Sequence, residues 1–319
     1  MIEVMDGGLY TTVQDYPGRL GYWDVGVPPS GPMDFLAFQI GNKLVGNRPN
    51  AAGLEITMYG PELKFETDCR IALTGAETDA RLNGNDIPWW RAIPVKKGDI
   101  LQTEALKGHG CRSYIAVGGG IDAPLYLGSR STFPTGGFGG IHGGVLTAGD
   151  TLKIADDSAS ANPTGNMDEK GIPTYSGVWE LGTLIGPHGA PDYFLESDVE
   201  LFFDTEWEVS LNSSRLGYRL EGPKVQFARA SGGEGGSHPS NLIDYSYGIG
   251  AVNFTGVTPV ILTADGPSLG GFVCMATVAS AEMWKIGQAK PGDKVRFKAI
   301  TLDQAEELRT RQEALLASL

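Results

Sequence analysis

KPGDKVRF, residues 290–297, is one of three near-copies of a single local pattern. KKGDILQ (96–102) and TAGDTLKI (147–154) are the other two. In each, a Gly-Asp pair makes a turn and an alternating strand follows. Gly and Asp are turn formers for different physical reasons, one steric and one through its side chain. Alternation of period two then sets one face of the strand inward. A turn device repeated before short alternating strands is typical of closed or nearly closed antiparallel sheets. The pattern therefore predicts a mainly β protein of barrel-like domains.

Other short runs read as strands on the same grounds: RIALT (70–74), SYIAV (113–117), ELFF (200–203), VQF (225–227) and TPVILT (258–263). Helical pattern is scarce. MDFLAFQIGNKL (33–44) has helical spacing, with Pro32 in its first turn and Gly46-Asn47 as a stop. A second short helix is expected over 280–286, and the best helix former is LDQAEELRTRQEALLAS (302–318). Its Leu302, Ala305, Leu308, Leu315 and Leu316 make one narrow apolar face, expected to dock on the body. The polar stretch ADDSASANPTGNMDEKGIP (155–173) reads as a linker. The expected domains are an N-terminal β-barrel-like domain over 1–155, a linker over 156–176, a C-terminal β-barrel-like domain over 177–300, and a C-terminal helix over 301–319. GRLGY (18–22) and SRLGYRLEGP (214–223) echo one another, which hints at two related halves.

With 319 residues the chain is long enough for two cores, and 46 glycines fit a protein of many tight turns. The net charge of -13 gives no overall attraction for nucleic acid or an anionic membrane face. Three widely spaced cysteines and four histidines without i, i+4 pairing support neither a disulfide framework nor a metal site. No signal peptide is visible, so a cytoplasmic location is expected.

Three polar constellations stand out. TTVQDYPGRLGYWDVGVPPSGPMD (11–34) carries Gln14, Asp15, Arg19, Ser30 and Asp34. Its turn can bring Asp15 and Arg19 together, with Ser30 near a helix cap; a structural turn network explains the same residues. The run 117–144 is glycine-rich but matches neither the phosphate-loop nor the dinucleotide pattern, and Arg130 and His142 are its cationic or partly cationic groups. Residues 232–271 hold Glu234, His238, Asn241, Asp244, Asn253 and Asp265 among ten glycines and three prolines. Histidine is the side chain best poised for proton transfer near neutral pH, although a lone histidine is more often structural.

The strings TTVQDYPGRLGYWDVGVPPSGPMD, NKLVGN, SSRLGYRLEGP, GGEGGSHPSN, NFTGVTPVILTADGPSLGGFVC and WKIGQAKPGDKVRF cover much of the chain. Together they resemble the carboxyltransferase region of urea carboxylase, in the allophanate hydrolase subunit 2 (KipA-type) family, to which a subunit of bacterial 5-oxoprolinase is related. The resemblance implies two cyclophilin-like β-barrel domains with a few short helices. It implies transfer of a carboxyl group from carboxybiotin, held on a separate carrier protein, to a nitrogen of urea or a urea-like amide. Neither metal nor nucleotide is expected on this chain. The implied partners are a KipI-like (allophanate hydrolase subunit 1-type) subunit, a biotin carboxylase and a biotinyl carrier, since the chain lacks the biotin-acceptor Ala-Met-Lys-Met signature. His238, Glu234 and Asp265 are the catalytic candidates, with His238 or Glu234 moving the proton. Asp244, Asn241, Asn253, Arg19, Arg215 and Ser268 are the substrate-binding candidates, the arginines as charge stabilisers. Two alternatives share the resemblance: a subunit of ATP-dependent 5-oxoprolinase, and a non-catalytic regulator that binds a KipI-like partner.

Overall fold

The computed structural model describes residues 1–155 and 165–319. The first nine positions of the expected linker, 156–164, lie outside the described residues. The chain divides into two units. Met1–Leu20, Pro29–Tyr175 and Ala314–Leu319 make the first, and Gly21–Pro28 with Ser176–Glu313 the second.

The repeated Gly-Asp turn has one geometry in all three places. The glycine is left-handed, with φ of 93° at Gly98, 93° at Gly149 and 88° at Gly292. The aspartate carboxylate accepts the amide of the residue three before it: Lys96 N to Asp99 Oδ2 at 2.8 Å, Thr147 N to Asp150 Oδ2 at 2.8 Å, and Lys290 N to Asp293 Oδ2 at 3.1 Å. Positive φ at the third turn position is what glycine supplies without steric cost. Asp293 does more, because its Oδ2 also accepts the buried Trp179 Nε1–H at 2.9 Å. Gly292→Ala is expected to lose about 1 kcal/mol through φ alone, since a Cβ there meets open space. Asp293→Ala is expected to lose about 2 kcal/mol, because it strands the Trp179 donor as well. Urea unfolding of both variants checks the ranking.

The first unit is a two-sheet body under a helix. Its six-stranded sheet runs Thr151–Leu152, Ile2–Asp6, Glu62–Phe65, Ile100–Leu106, Thr78–Leu82, Asn85–Asp86. Its five-stranded sheet runs Thr11–Gln14, Gly53–Thr57, Arg112–Val117, Cys69–Gly75, Ala92–Val95. Alternate residues of both sheets, such as Leu63, Phe65, Leu54, Ile56, Ile71, Leu73 and Ile115, meet in one core. Helix Phe35–Val45 packs on the five-stranded sheet, with Phe38 edge-on to Tyr114 and Thr74 Oγ1 donating to Ala37 O. The helix starts two residues later than its apolar spacing predicts. Asp34, not Ser30, is the cap and accepts from Ala37 N at 2.9 Å, which puts Pro32 ahead of the helix.

The second unit holds a closed barrel of seven strands. Their ring order is Val178–Ile185, Cys274–Val278, Ala251–Thr255, Thr258–Leu262, Gly217–Glu221, Glu206–Val209, Lys294–Ala299. The strand that follows KPGD closes it, pairing antiparallel with Glu206–Val209 and parallel with Val178–Ile185. That one parallel seam departs from an all-antiparallel ladder. The mainly β class therefore holds, with ladder closure seen in the second unit and two sheets in the first.

Two strand readings change. ELFF lies inside helix Glu196–Asp204, whose N-terminus is held by Leu195 N donating to Asp198 Oδ2 at 3.1 Å. Its buried Phe202 stacks on Phe297 with ring centroids 4.3 Å apart. A short aromatic run suits a buried helix as well as a strand, and here the acidic cap decides. VQF is irregular backbone whose amides at Gln226 and Phe227 are taken by Asp198. The C-terminal helix, Leu302–Ala317, has no fully buried residue; Leu308 is partly buried and Leu302 is exposed.

Candidate functional site

A two-stranded ribbon, Asn241–Ser246 with Leu269–Phe272, lies beside the barrel strands of the second unit. Its tyrosines pack with the barrel wall: Tyr245 and Tyr247 meet Ala251, Leu262 and Cys274. The SHPSN loop leads into the ribbon and is fixed through Ser240. Ser240 O accepts Val273 N at 2.9 Å, and its Oγ accepts Gly256 N at 3.1 Å.

His238 is half-buried, edge-on to Phe227 with centroids 5.6 Å apart. Its Nδ1 faces Ser240 Oγ at 2.8 Å and accepts Ser240 N at 3.1 Å. An Nδ1 that accepts a backbone amide assigns the proton of the neutral ring to Nε2. Arg229 holds the flanks of this loop. Its Nε donates to Pro239 O at 2.7 Å and its Nη2 to Asn241 O at 2.5 Å, while its guanidinium lies 4.6 Å from the Tyr193 ring centre. Tyr193 and Tyr245 in turn pack edge-on against His188, at 4.7 and 4.4 Å.

His188 is buried in the same assembly. Its Nδ1 accepts Cys274 N at 3.0 Å, so this ring too carries its proton on Nε2. Burial pushes its pKa down, and the charge of Arg229 adds to the effect. Burial likewise pushes the Cys274 thiol up, which keeps it protonated. The lowered His188 value fixes a sign for stability. The unfolded chain takes up that proton near the ordinary value of about 6.5, above the folded one, so the unfolded state binds more protons in between. Stability is therefore full above about 6.5 and falls on acidification below it. His188→Asn keeps an acceptor for Cys274 N but does not titrate. It is expected to flatten this part of the pH profile, as read by urea midpoints between neutral and mildly acidic pH.

Asn253 lies on the barrel strand opposite Cys274, 3% exposed, and its Oδ1 has no hydrogen-bond partner among the described residues. A buried acceptor left unmatched costs about 1–3 kcal/mol, which an incoming N–H group would recover. Asn241 is half-buried, at the start of the ribbon. Glu234, in the turn Gly233–Gly235, and Asp244, on the ribbon, are exposed carboxylates.

Asp265 and Arg215 form a buried pair, 3% and 5% exposed. Arg215 Nε meets Asp265 Oδ2 at 2.8 Å and Nη2 meets Oδ1 at 3.1 Å. The Arg215 carbonyl accepts Asp265 N at 2.9 Å and Thr263 Oγ1 at 2.5 Å. Both carboxylate oxygens are thus engaged in tying SRLGY to the ADGPS loop. Ser268 is buried further along that loop, and its carbonyl accepts Tyr247 N at 2.7 Å.

Arg19 belongs to the first unit and is 1% exposed. It donates to Tyr126 O at 3.1 Å and Ser131 O at 2.8 Å, and lies 5.0 Å from the Phe138 ring centre. Asp15 accepts Ser129 Oγ at 2.5 Å, Ser131 Oγ at 2.6 Å and Arg130 N at 2.7 Å. The two RLGY arginines are therefore both buried staples of their own units. Of the sequence candidates, the structure brings His238 and Asn241 together on one loop and pairs Asp265 with Arg215. His188, Arg229, Ser240 and Tyr193 join them without having been singled out. The one sequence signal for Arg229 is its place just before the glycine run of 232–236; His188 offers none.

Comparisons with known proteins complete the picture. Residues 25–299 match the family described as carboxyltransferase domain, subdomain A and B. A urea amidolyase of Lachancea kluyveri is 48% identical over 99% of this chain, which spans 18% of that protein. The crystal structure of the K. lactis urea amidolyase superposes with a TM-score of 0.93 at 47% identity, covering 99% of this chain and 20% of that one. A 5-oxoprolinase subunit of Escherichia coli is 35% identical over 100% of this chain and 97% of its own length. The chain thus spans about a fifth of the urea amidolyases it matches and nearly all of the 5-oxoprolinase subunit. It belongs to the carboxyltransferase domain (subdomain A and B) family.

Proposed function

We propose that this chain is the carboxyltransferase component of a biotin-dependent carboxylase whose acceptor is urea or a urea-like amide. The observation that carries the reading is identity to urea amidolyase along the whole chain, at a level well above that to the 5-oxoprolinase subunit. The reading also needs a biotin carboxylase, a biotinyl carrier and a KipI-like component, whether on this polypeptide or on others; in the urea amidolyases the matched region is about a fifth of one chain.

The second unit's groups fit a ureido or amide ligand. Such a ligand presents N–H donors and a carbonyl acceptor, and the Asn253 Oδ1 atom is a buried acceptor awaiting a donor. Carboxybiotin, if its carrier docks here, would supply the carboxyl carbon, its own ring N–C bond breaking as the substrate N–C bond forms. His238 gives its Nε2–H to a carboxylate or carbonyl oxygen, where charge develops as the new N–C bond forms. With Nδ1 already an acceptor, the neutral His238 ring has no free lone pair, so the substrate-nitrogen proton goes to a carboxylate. Glu234 and Asp244 are the exposed carboxylates of residues 232–246 and the candidates for it. Asn241 orients the amide. Asp265, Arg215 and Ser268 position the loop that borders the ribbon, and Arg19 does the same within the first unit.

One observation favours a second reading. The matched 5-oxoprolinase subunit is 35% identical along nearly its whole length. Affinity purification of the tagged chain from its own cells separates the two. A biotinylated protein, detected by labelled streptavidin, is expected to co-purify; partners that carry no biotin and hydrolyse 5-oxoproline would sink the first reading.

A further inference from the structure

The glycine-rich run of 117–144 is not absorbed by that reading, and its one arginine faces a cleft. In the first unit a cleft of about 470 Å³ is walled by Asn50, Gly119, Gly120, Leu125, Gly128 and Arg130, with Asp15 beside them. We propose that this cleft binds a small monocarboxylate with a short apolar body, its carboxylate held by Arg130 and Asn50.

Arg130 is the one cation among the lining residues. Its Nη2 meets Asp122 Oδ1 at 3.2 Å, on a carboxylate that is itself half exposed. Its Nε is buried with no hydrogen-bond partner among the described residues. A guanidinium has five donors in a planar fork suited to a carboxylate, and most of this fork is unspent. Asn50 adds an exposed amide at the wall. The three glycines offer no side chain to fill the space.

The neighbouring Asp15 decides the ligand's charge. Two hydroxyls and the Arg130 amide hydrogen-bond its carboxylate, which leaves Arg130 as the cleft's cation without cancelling all repulsion. One cation between two carboxylates, Asp15 and Asp122, in a chain of net charge -13, suits a monoanion better than a phosphate dianion. Leu125, 62% exposed, supplies an apolar wall for a short alkyl body.

The test is titration of the purified, isotope-labelled chain with butyrate, butyramide and inorganic phosphate, followed at the amides of Gly119, Gly120 and Gly128. Butyrate is expected to shift these amides saturably and to weaken with added salt. Butyramide and phosphate are expected to bind about 10-fold less tightly or worse. Arg130→Met is expected to weaken butyrate about 10-fold or more, because a charged hydrogen-bonded contact is lost. If that variant fails to fold, Asn50→Asp, at an exposed position, decides instead and is expected to weaken butyrate likewise. Absence of saturable shifts, phosphate binding tighter than butyrate, or unchanged affinity in the deciding variant overturns the proposal. None of these outcomes bears on the carboxyltransferase reading, whose catalytic candidates lie in the second unit.

Discussion

Asp265→Ala is expected to lower the stability of the second unit by about 3–5 kcal/mol, the cost of breaking a buried ion pair from one side. The variant removes the carboxylate that holds two nitrogens of a guanidinium only 5% exposed. Arginine cannot escape by giving up its proton, whereas a stranded aspartate can take one. Arg215→Ala is therefore expected to lose less than Asp265→Ala at mildly acidic pH. Asp265→Asn keeps the shape and one acceptor and is expected to fall between wild type and alanine. Urea unfolding midpoints measure all three. A loss below about 1 kcal/mol in Asp265→Ala, the level of an exposed pair, would show that the two charges do not hold the loop. The result also separates roles, because a residue lost through unfolding is a positioning residue and any fall in activity must be read against it.

The second large effect is on chemistry. His238→Ala is expected to lower kcat of the reconstituted complex about 10²–10³-fold, the usual loss when one donor to a developing charge is removed. The Nδ1 contact to Ser240 N predicts something sharper. If Nε2–H is the working atom, His238→Gln places an amide N–H near the same point and retains a substantial part of the rate. If the ring instead accepts the proton, glutamine has no basic lone pair and falls as far as alanine. Steady-state kinetics with both variants in the same complex distinguish the two. Equal loss in both would return His238 to the role of base.

Part of this was legible in the residues alone. KPGD and its two relatives are local devices, and their glycine and aspartate act within four residues, so sequence was enough to find them. The glycine run with His238 and Asn241 was visible for the same reason. ELFF was not, because the burial that makes it helical comes from Phe202 stacking on Phe297, far along the chain, although its Asp198 cap is local. The partners of the two RLGY arginines were equally hidden: one finds Asp265, fifty residues away, and the other the carbonyls of Tyr126 and Ser131. His188 illustrates the limit. Its place depends on the backbone of Cys274 and the ring of Tyr245, both far along the chain, and the nearby Tyr193 alone does not reveal them.

Isotope incorporation tests whether this chain, as proposed, directs carboxyl transfer to a urea-type nitrogen. The chain would be combined with its co-purifying partners, ATP and labelled bicarbonate, and the acid-labile or N-carboxylated product followed with urea, guanidine or 5-oxoproline as acceptor. ATP-dependent incorporation of label is expected that needs this chain and urea or a urea-like amide, and that stops when the biotinyl carrier is left out. Turnover of 5-oxoproline without label incorporation, or incorporation indifferent to this chain, would contradict it.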